Sequence, residues 1–401
     1  MNVFKKIYCR AFQFCFKAAI PILPYRKPEL LHSVDEVPGI IKKEGSDKVL
    51  VVTDATLNKL GLLDNLYKAL ADNNIPYFVY DKTVANPTTD NVYEALSIYK
   101  ANKCNALIGF GGGSSMDCAK AVGVLAARPN KTLDDLKGIL KVHKKLPLLI
   151  AVPTTAGTGS ETTLAAIIVD SKTRHKYCIN DFPLIPRYAV MDARVTEGLP
   201  KGITSTTGMD ALTHAVEAFI GGSTTKDTRK DSLYAVKLIF ENLDKVVENG
   251  SDLEARKNML VASFHAGCAF TKSYVGYVHA VAHSLGGKYN VPHGLANAVL
   301  LPFVLEEYGD CINKKLKKLS VAAGVSSEDT DEKTAAKAFI QAIKDMKIRY
   351  GIGDTFPELK EEDIDEMAAY ADKEGNPLYP VPVLMDKNEL KKFYHMVMEK
   401  Q

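Results

Sequence analysis

The sequence predicts an α/β domain built on a parallel sheet, followed by an all-α domain, with the boundary near residue 193. Three observations carry this. Short β-branched runs alternate with amphipathic helical stretches up to that point, strand signals cease beyond it, and 401 residues exceed one typical core. The expected domains are therefore 1–193 and 194–401, with residues 1–30 set apart as an atypical N-terminal segment.

The alternation starts at Val49-Leu50-Val51-Val52-Thr53, a strand that ends at Asp54 and leads into a helical pattern to about Asn73. Tyr77 to Tyr80 is a second strand. Asn86-Pro87-Thr88 turns into a helix to about Lys100, and Ala106 to Phe110 is the third strand. Continuous apolar strands between helices imply a sheet covered on both faces. Leu148 to Val152, Ile167 to Asp170 and Ala189 to Met191 complete the strand readings. Helical periodicity then covers Ser205 to Ile220, Asp227 to Glu248, Leu253 to Thr271, Val278 to Lys288, Leu295 to Glu307, Lys314 to Ala323, Thr334 to Met346 and Asn388 to Glu399. Gly375 to Pro382 reads as an extended, proline-punctuated loop.

The third strand runs directly into Gly111-Gly112-Gly113-Ser114-Ser115-Met116-Asp117 and a helix from Cys118 to about Ala126. Glycines let the backbone approach a pyrophosphate, and a new helix N-terminus offers free N–H groups and a favourable dipole to its charge. Ser114 stands where the last glycine of G-x-G-x-x-G would be, so the ordinary dinucleotide fingerprint is incomplete. Asp54, at the end of an earlier strand, can accept from an adenosine ribose and would repel a 2′-phosphate, which points to NAD; a plain helix N-cap is the competing reading. Pro153 to Glu161 is a second loop rich in Gly, Ser and Thr.

Composition narrows the class. Hydrophobic residues make up 46% and charged residues 25%, as in soluble globular proteins. A formal charge of +3 without a basic stripe does not indicate nucleic-acid binding, so no nucleic-acid partner is expected. Seven cysteines with no CxxC pair suit a reducing compartment, so a cytoplasmic location is expected. Near the start, Lys5, Lys6 and Arg10 precede an apolar run that resembles a signal peptide, but Gln13, Lys17 and two prolines interrupt it and no small-residue cleavage site follows. No other stretch is long enough to span a bilayer, so no membrane partner is expected and the segment reads as packed or oligomer-contacting.

Five of the nine histidines, at 214, 265, 279, 283 and 293, lie in one largely apolar segment. Asp210 and His214 are four apart on a predicted helix, and His279 and His283 repeat that offset on another. A carboxylate with neutral imidazoles from different helices suits Fe2+ or Zn2+. Hydrogen-bonded core histidines are the competing reading, and spacing leaves open which of the five would ligate.

These residues carry a resemblance. Gly111-Gly112-Gly113-Ser114 with Asp117 and Lys120, Pro153-Thr154-Thr155-Ala156-Gly157-Thr158, Gly208-Met209-Asp210-Ala211-Leu212-Thr213-His214, and His279-x3-His283-x9-His293-Gly294 resemble, in order and spacing, the iron-containing (group III) alcohol dehydrogenases. The likeness spans roughly residues 30 to 390 and implies the dehydroquinate synthase-like fold of that family, an N-terminal dinucleotide-binding α/β domain and a C-terminal helical domain. It further implies metal ligation by Asp210, His214, His279 and His293, with His283 beside the nicotinamide as the catalytic histidine. Asp54, Asn86, Gly112, Gly113, Ser114, Asp117, Thr154, Thr155, Thr158 and Lys176 match its cofactor positions, and Phe270 matches a pocket wall. NAD, a divalent metal (Fe2+ first, Zn2+ second), a small-to-medium aliphatic alcohol or aldehyde substrate and a homodimer are the resulting expectations, with a hydroxyacid-oxoacid transhydrogenase, or other polyol or lyase chemistry on the same fold, as the competing activity.

Overall fold

A computed structural model describes residues 1–399 of the chain. Contacts divide them into two units, one made of residues 24–198 and the other joining Met1–Leu23 to the chain from Leu199 onward. Residues 1–23, which the sequence reading grouped with the α/β half, thus pack in the helical unit.

The α/β unit holds nine strands: β1 (Glu29–Leu31), β2 (Val49–Val52), β3 (Tyr77–Tyr80), β4 (Ala106–Gly111), β5 (Gly138–Ile139), β6 (Leu148–Pro153), β7 (Ala165–Val169), β8 (Lys176–Asn180) and β9 (Tyr188–Val190). Six of them form the expected parallel sheet in the order β1-β9-β6-β4-β2-β3. Both faces are covered, as the apolar runs require: Leu50 and Val52 enter one core, while Val49 and Val51 enter the other. From β2 the chain passes to β3 on one side and then to β4 on the other, so the order reverses between β2 and β4. Asp54 follows one of these strands and the glycine turn follows the other, at the carboxyl ends where such sheets bind ligands.

A smaller sheet, β5-β8-β7, pairs β7 with β8 antiparallel. Two helices also differ from expectation. The stretch after Asp54 breaks at Gly61, whose φ of +70° ends one helix (Ala55–Lys59) before the next (Asp64–Asp72). The helix after β4 begins at Gly113, not Cys118, and runs to Ala127.

In the helical unit, Lys201–Ile220 is buried on nearly every side, as a helix apolar all round must be. Lys226–Glu248 and Leu253–Ser273 are its neighbours, and His293–Tyr308 crosses it so closely that a Cβ at Gly294 would stand 2.5 Å from the Thr206 carbonyl oxygen. One helix, Glu361–Gly375, was not anticipated, because its buried stripe is narrow and made largely of Ile364, Met367, Ala368 and Ala371. A second, Val3–Ala19, forms despite the polar interruptions read in that segment. Its buried face is only Cys9 and Gln13, too little to register as an apolar stripe.

Candidate functional site

Asp210 and His214 rise from the same face of helix Lys201–Ile220, His279 from the first turn of Tyr277–Tyr289, and His293 from the start of the next helix. Their ligand-capable atoms all lie within 4.8 Å of one another. Asp210, His214 and His279 are buried and His293 is half-buried. The His279 ring lies 4.5 Å from that of His214 and 5.3 Å from that of His293, centroid to centroid.

Glu217, one turn beyond His214, orients the site from behind. Its Oε2 accepts the His279 Nδ1 proton at 2.6 Å and the Gly276 N–H at 2.8 Å, and its Oε1 accepts the Val278 N–H at 2.8 Å. The carboxyl thereby caps the helix that carries His279 and selects the tautomer whose Nε2 lone pair faces the cluster. Burial pushes Glu217 up to about 7, against the donors that pull it down. His279 is held well below its usual value by burial and by the neighbouring imidazoles, so it is neutral.

Asn297 closes the other side. Its Nδ2 donates to Asp210 Oδ1 at 2.7 Å and lies 3.2 Å from His279 Nε2 and 3.1 Å from His293 Nε2. One amide nitrogen has two hydrogens for three acceptors, so lone pairs exceed protons at this spot. An O/N donor set of this kind, buried and rich in lone pairs, fits a divalent cation.

The remaining expected residues divide clearly. His265 leaves the cluster, its Nδ1 lying 2.9 Å from Asp231. His283 is exposed; its Nδ1 meets Glu374 Oε1 at 2.6 Å, an oxygen that also accepts from the Tyr379 hydroxyl at 2.6 Å, and its ring stacks on His293 at 5.1 Å. Burial works against the Glu374 carboxylate, yet His283 and Tyr379 hold it below its usual value. Phe270 stacks on His214 at 4.2 Å and walls that side.

In the α/β unit, Gly112 is the N-cap of helix Gly113–Ala127, which has no side-chain cap and no acid in its first turn. An added Cβ at Gly112 would lie 3.9 Å from Thr155 Oγ1, and one at Gly113 3.6 Å from Thr158. Thr155 Oγ1 is itself buried without a partner. An open helix terminus beside an orphaned hydroxyl fits a pyrophosphate. Asn86 lies alongside, its N–H donating to Ser114 Oγ at 3.2 Å and its Oδ1 accepting from Lys176 at 2.8 Å. Thr154 is buried and its N–H donates to the Gly111 carbonyl at 3.1 Å. Asp117 turns inward, accepting from Ser160 Oγ at 2.8 Å and the Ile167 N–H at 3.0 Å, and so ties the helix to the loop after β6 and to β7. Asp54 caps helix Ala55–Lys59 through Thr56 and Leu57, with one oxygen carrying both bonds.

Residues 31–193 match the family "Iron-containing alcohol dehydrogenase", and residues 204–398 match "Fe-containing alcohol dehydrogenase family, C-terminal". The chain belongs to the iron-containing alcohol dehydrogenases. Among relatives of this dehydrogenase, the NAD-dependent methanol dehydrogenase of Bacillus methanolicus is 36% identical over 84% of the chain and 89% of that protein. Alcohol dehydrogenase 4 of Schizosaccharomyces pombe is 38% identical over 85% and 81%. A crystal structure of 1,3-propanediol oxidoreductase superposes with a TM-score of 0.89 at 33% identity, covering 94% of the chain and 99% of that structure.

Sequence reasoning on this dehydrogenase missed Glu217, Asn297 and Glu374. Two of them carried the signal already in use: Glu217 continues the i, i+4, i+7 face of Asp210 and His214, and Asn297 stands four after His293. Glu374 has no such mark, since only the fold brings it to His283.

Proposed function

We propose that the protein catalyses reversible hydride transfer between NAD and a small to medium aliphatic alcohol or aldehyde, with a divalent metal, Fe2+ first, held by Asp210, His214, His279 and His293. The observation that carries this is the convergence of one carboxylate and three imidazoles within 4.8 Å. When bound, the metal supplies a Lewis acid that favours alkoxide over alcohol, and NAD supplies the hydride acceptor. Gly112, Gly113, Ser114, Thr154, Thr155 and Thr158 line the pyrophosphate turn, with Asn86, Lys176 and Asp117 supporting it. Asp54 keeps one oxygen for the ribose and disfavours a 2′-phosphate.

The residues around the metal have distinct tasks. Asp210 is the single anionic group among the four ligands, and Glu217 holds His279 in the ligating tautomer. His283, oriented through Nδ1 by Glu374, is the residue assigned to take the alcohol proton. Phe270 presents an apolar wall, which favours aliphatic chains over acidic substrates. The relatives named for methanol and 1,3-propanediol support small alcohols as the substrate class.

Metal analysis of anaerobically purified protein, combined with NADH oxidation over aldehydes of graded chain length, tests the reading. A bound metal and a clear chain-length optimum are expected; equal, background rates across the series would overturn it. Glu217→Gln will lower metal affinity by about 10- to 100-fold, read by chelator competition. His283→Ala will retain its metal while turnover falls by about 100-fold, the scale of a lost acid–base group. Loss of metal from that variant would place His283 in the shell instead.

A further inference from the structure

Helix Val3–Ala19 is fastened to the helical unit by one face alone. Cys9 and Ile20 are buried there, Gln13 Nε2 donates to the Tyr379 carbonyl at 2.7 Å, and Arg10 donates to the carbonyls of Val381 and Pro382 at 2.7 and 2.8 Å. Lys5 pairs with Asp372 at 2.7 Å, and Phe16 meets Tyr274 edge-on at 4.9 Å. These contacts hold the helix without help from its outer side.

That outer side is apolar. At 100° per residue, Val3, Phe14, Ile7, Ala18, Ala11, Phe4, Cys15 and Tyr8 follow one another round an arc of about 140° that contains no polar side chain except the Tyr8 hydroxyl. Phe4 is 86% exposed, Phe14 73% and Ile7 61%, and Ile22 just beyond is 84% exposed. Lys6, Arg10 and Lys17 run along one edge of the arc. Residues 1–23 contain four cations and no Asp or Glu.

We infer that this helix docks the protein on the surface of an anionic lipid bilayer, lying in the interface with its apolar arc inserted. Aromatic and aliphatic residues on one face with a cationic border are the pattern of an interfacial helix, Lys6 and Lys17 meeting lipid phosphates while the rings enter the acyl boundary. No described helix is long and apolar enough to cross a membrane, so the contact is peripheral. A second copy of the chain fits less well, because its own helix brings Lys6 and Lys17 against the same two lysines, with no carboxylate in residues 1–23 to pair with them. The inference departs from the sequence expectation of no membrane partner.

Flotation of the full chain with phosphatidylcholine–phosphatidylglycerol vesicles, against pure phosphatidylcholine vesicles, tests it. The wild type will float with the anionic vesicles only. Lys6→Glu with Lys17→Glu will cut partitioning by at least about tenfold, and Phe4→Ser, Ile7→Ser and Phe14→Ser together by about 100-fold or more. Circular dichroism melts equal to wild type verify folding, since none of these side chains packs inward. Absence of wild-type flotation, or equal flotation of the triple-serine variant, overturns the inference. So does sedimentation showing a wild-type oligomer that the triple variant dissolves, which would assign the face to a second copy.

Discussion

Replacing Asp210 or His279 by alanine will strip the helical unit of its metal and lower kcat/KM by at least about a thousandfold, or about 4 kcal/mol of barrier. Asp210 supplies the only negative charge among the four proposed ligands, and it lies within reach of Asn297 and His293. Without it, three neutral imidazoles must hold a dication in a buried pocket with no compensating ligand charge. His279→Ala removes a proposed ligand and also one of the donors to Glu217, leaving a buried carboxyl less well satisfied. Metal content per chain and aldehyde-dependent NADH oxidation, measured on the same preparations, check the expectation. Asp210→Asn separates charge from shape, because it keeps the packing and should still lose the metal. Near-native metal and turnover in these variants would refute the ligand assignment.

Gly294→Ala should damage the same site through packing alone. The new Cβ would stand 2.5 Å from the Thr206 carbonyl oxygen, 3.0 Å from its carbon and 3.3 Å from Asp210 Cβ. The first two contacts set a Cβ, which no torsion can move, against backbone atoms, so no rotamer change relieves them. Helix His293–Tyr308 must back away from Lys201–Ile220 and take His293 with it. An overpacking cost of about 1–3 kcal/mol is expected, with metal affinity down at least about tenfold. Gly287→Ala, in helix Tyr277–Tyr289, is the control: nothing lies within 4 Å of a Cβ there, and alanine should be neutral or favourable by up to about 1 kcal/mol. Thermal melts and chelator titrations of the pair give the comparison. Equal behaviour of the two variants would show that the helix crossing tolerates expansion.

Much of the α/β unit could be read locally. In β2, Val49 to Val52 are all buried, and a continuous apolar run is what a strand covered on both faces requires. The glycine run was legible too, because glycines between a buried strand and a helix start leave the helix N-terminus open to close approach. Shorter elements were not. β5 has only two residues and exists because it pairs with β8, while β8 has five residues of alternating burial but opens on an exposed lysine and closes on an asparagine, so its sequence carries no apolar run, and its pairing with β7 defines it. Helix Val3–Ala19 was obscured by Gln13 and Lys17. Gln13 is buried after all, because the Tyr379 carbonyl satisfies its amide.

For the site, the sequence by itself determined the chemistry on offer. It set Asp210, His214, His279 and His283 at four-residue offsets, and helical geometry placed each pair on one face. Those same offsets could not choose among five histidines, because ligation depends on where separate helices cross. Only the tertiary structure brings three of them together with Asp210. Packing set the rings of His214, His279 and His293 against one another, sent His265 to Asp231, and turned His283 toward Glu374, ninety-one residues away. Spacing along one helix is local, whereas a coordination shell is a property of distances between helices, and those are fixed by close contacts such as that of Gly294 with Thr206.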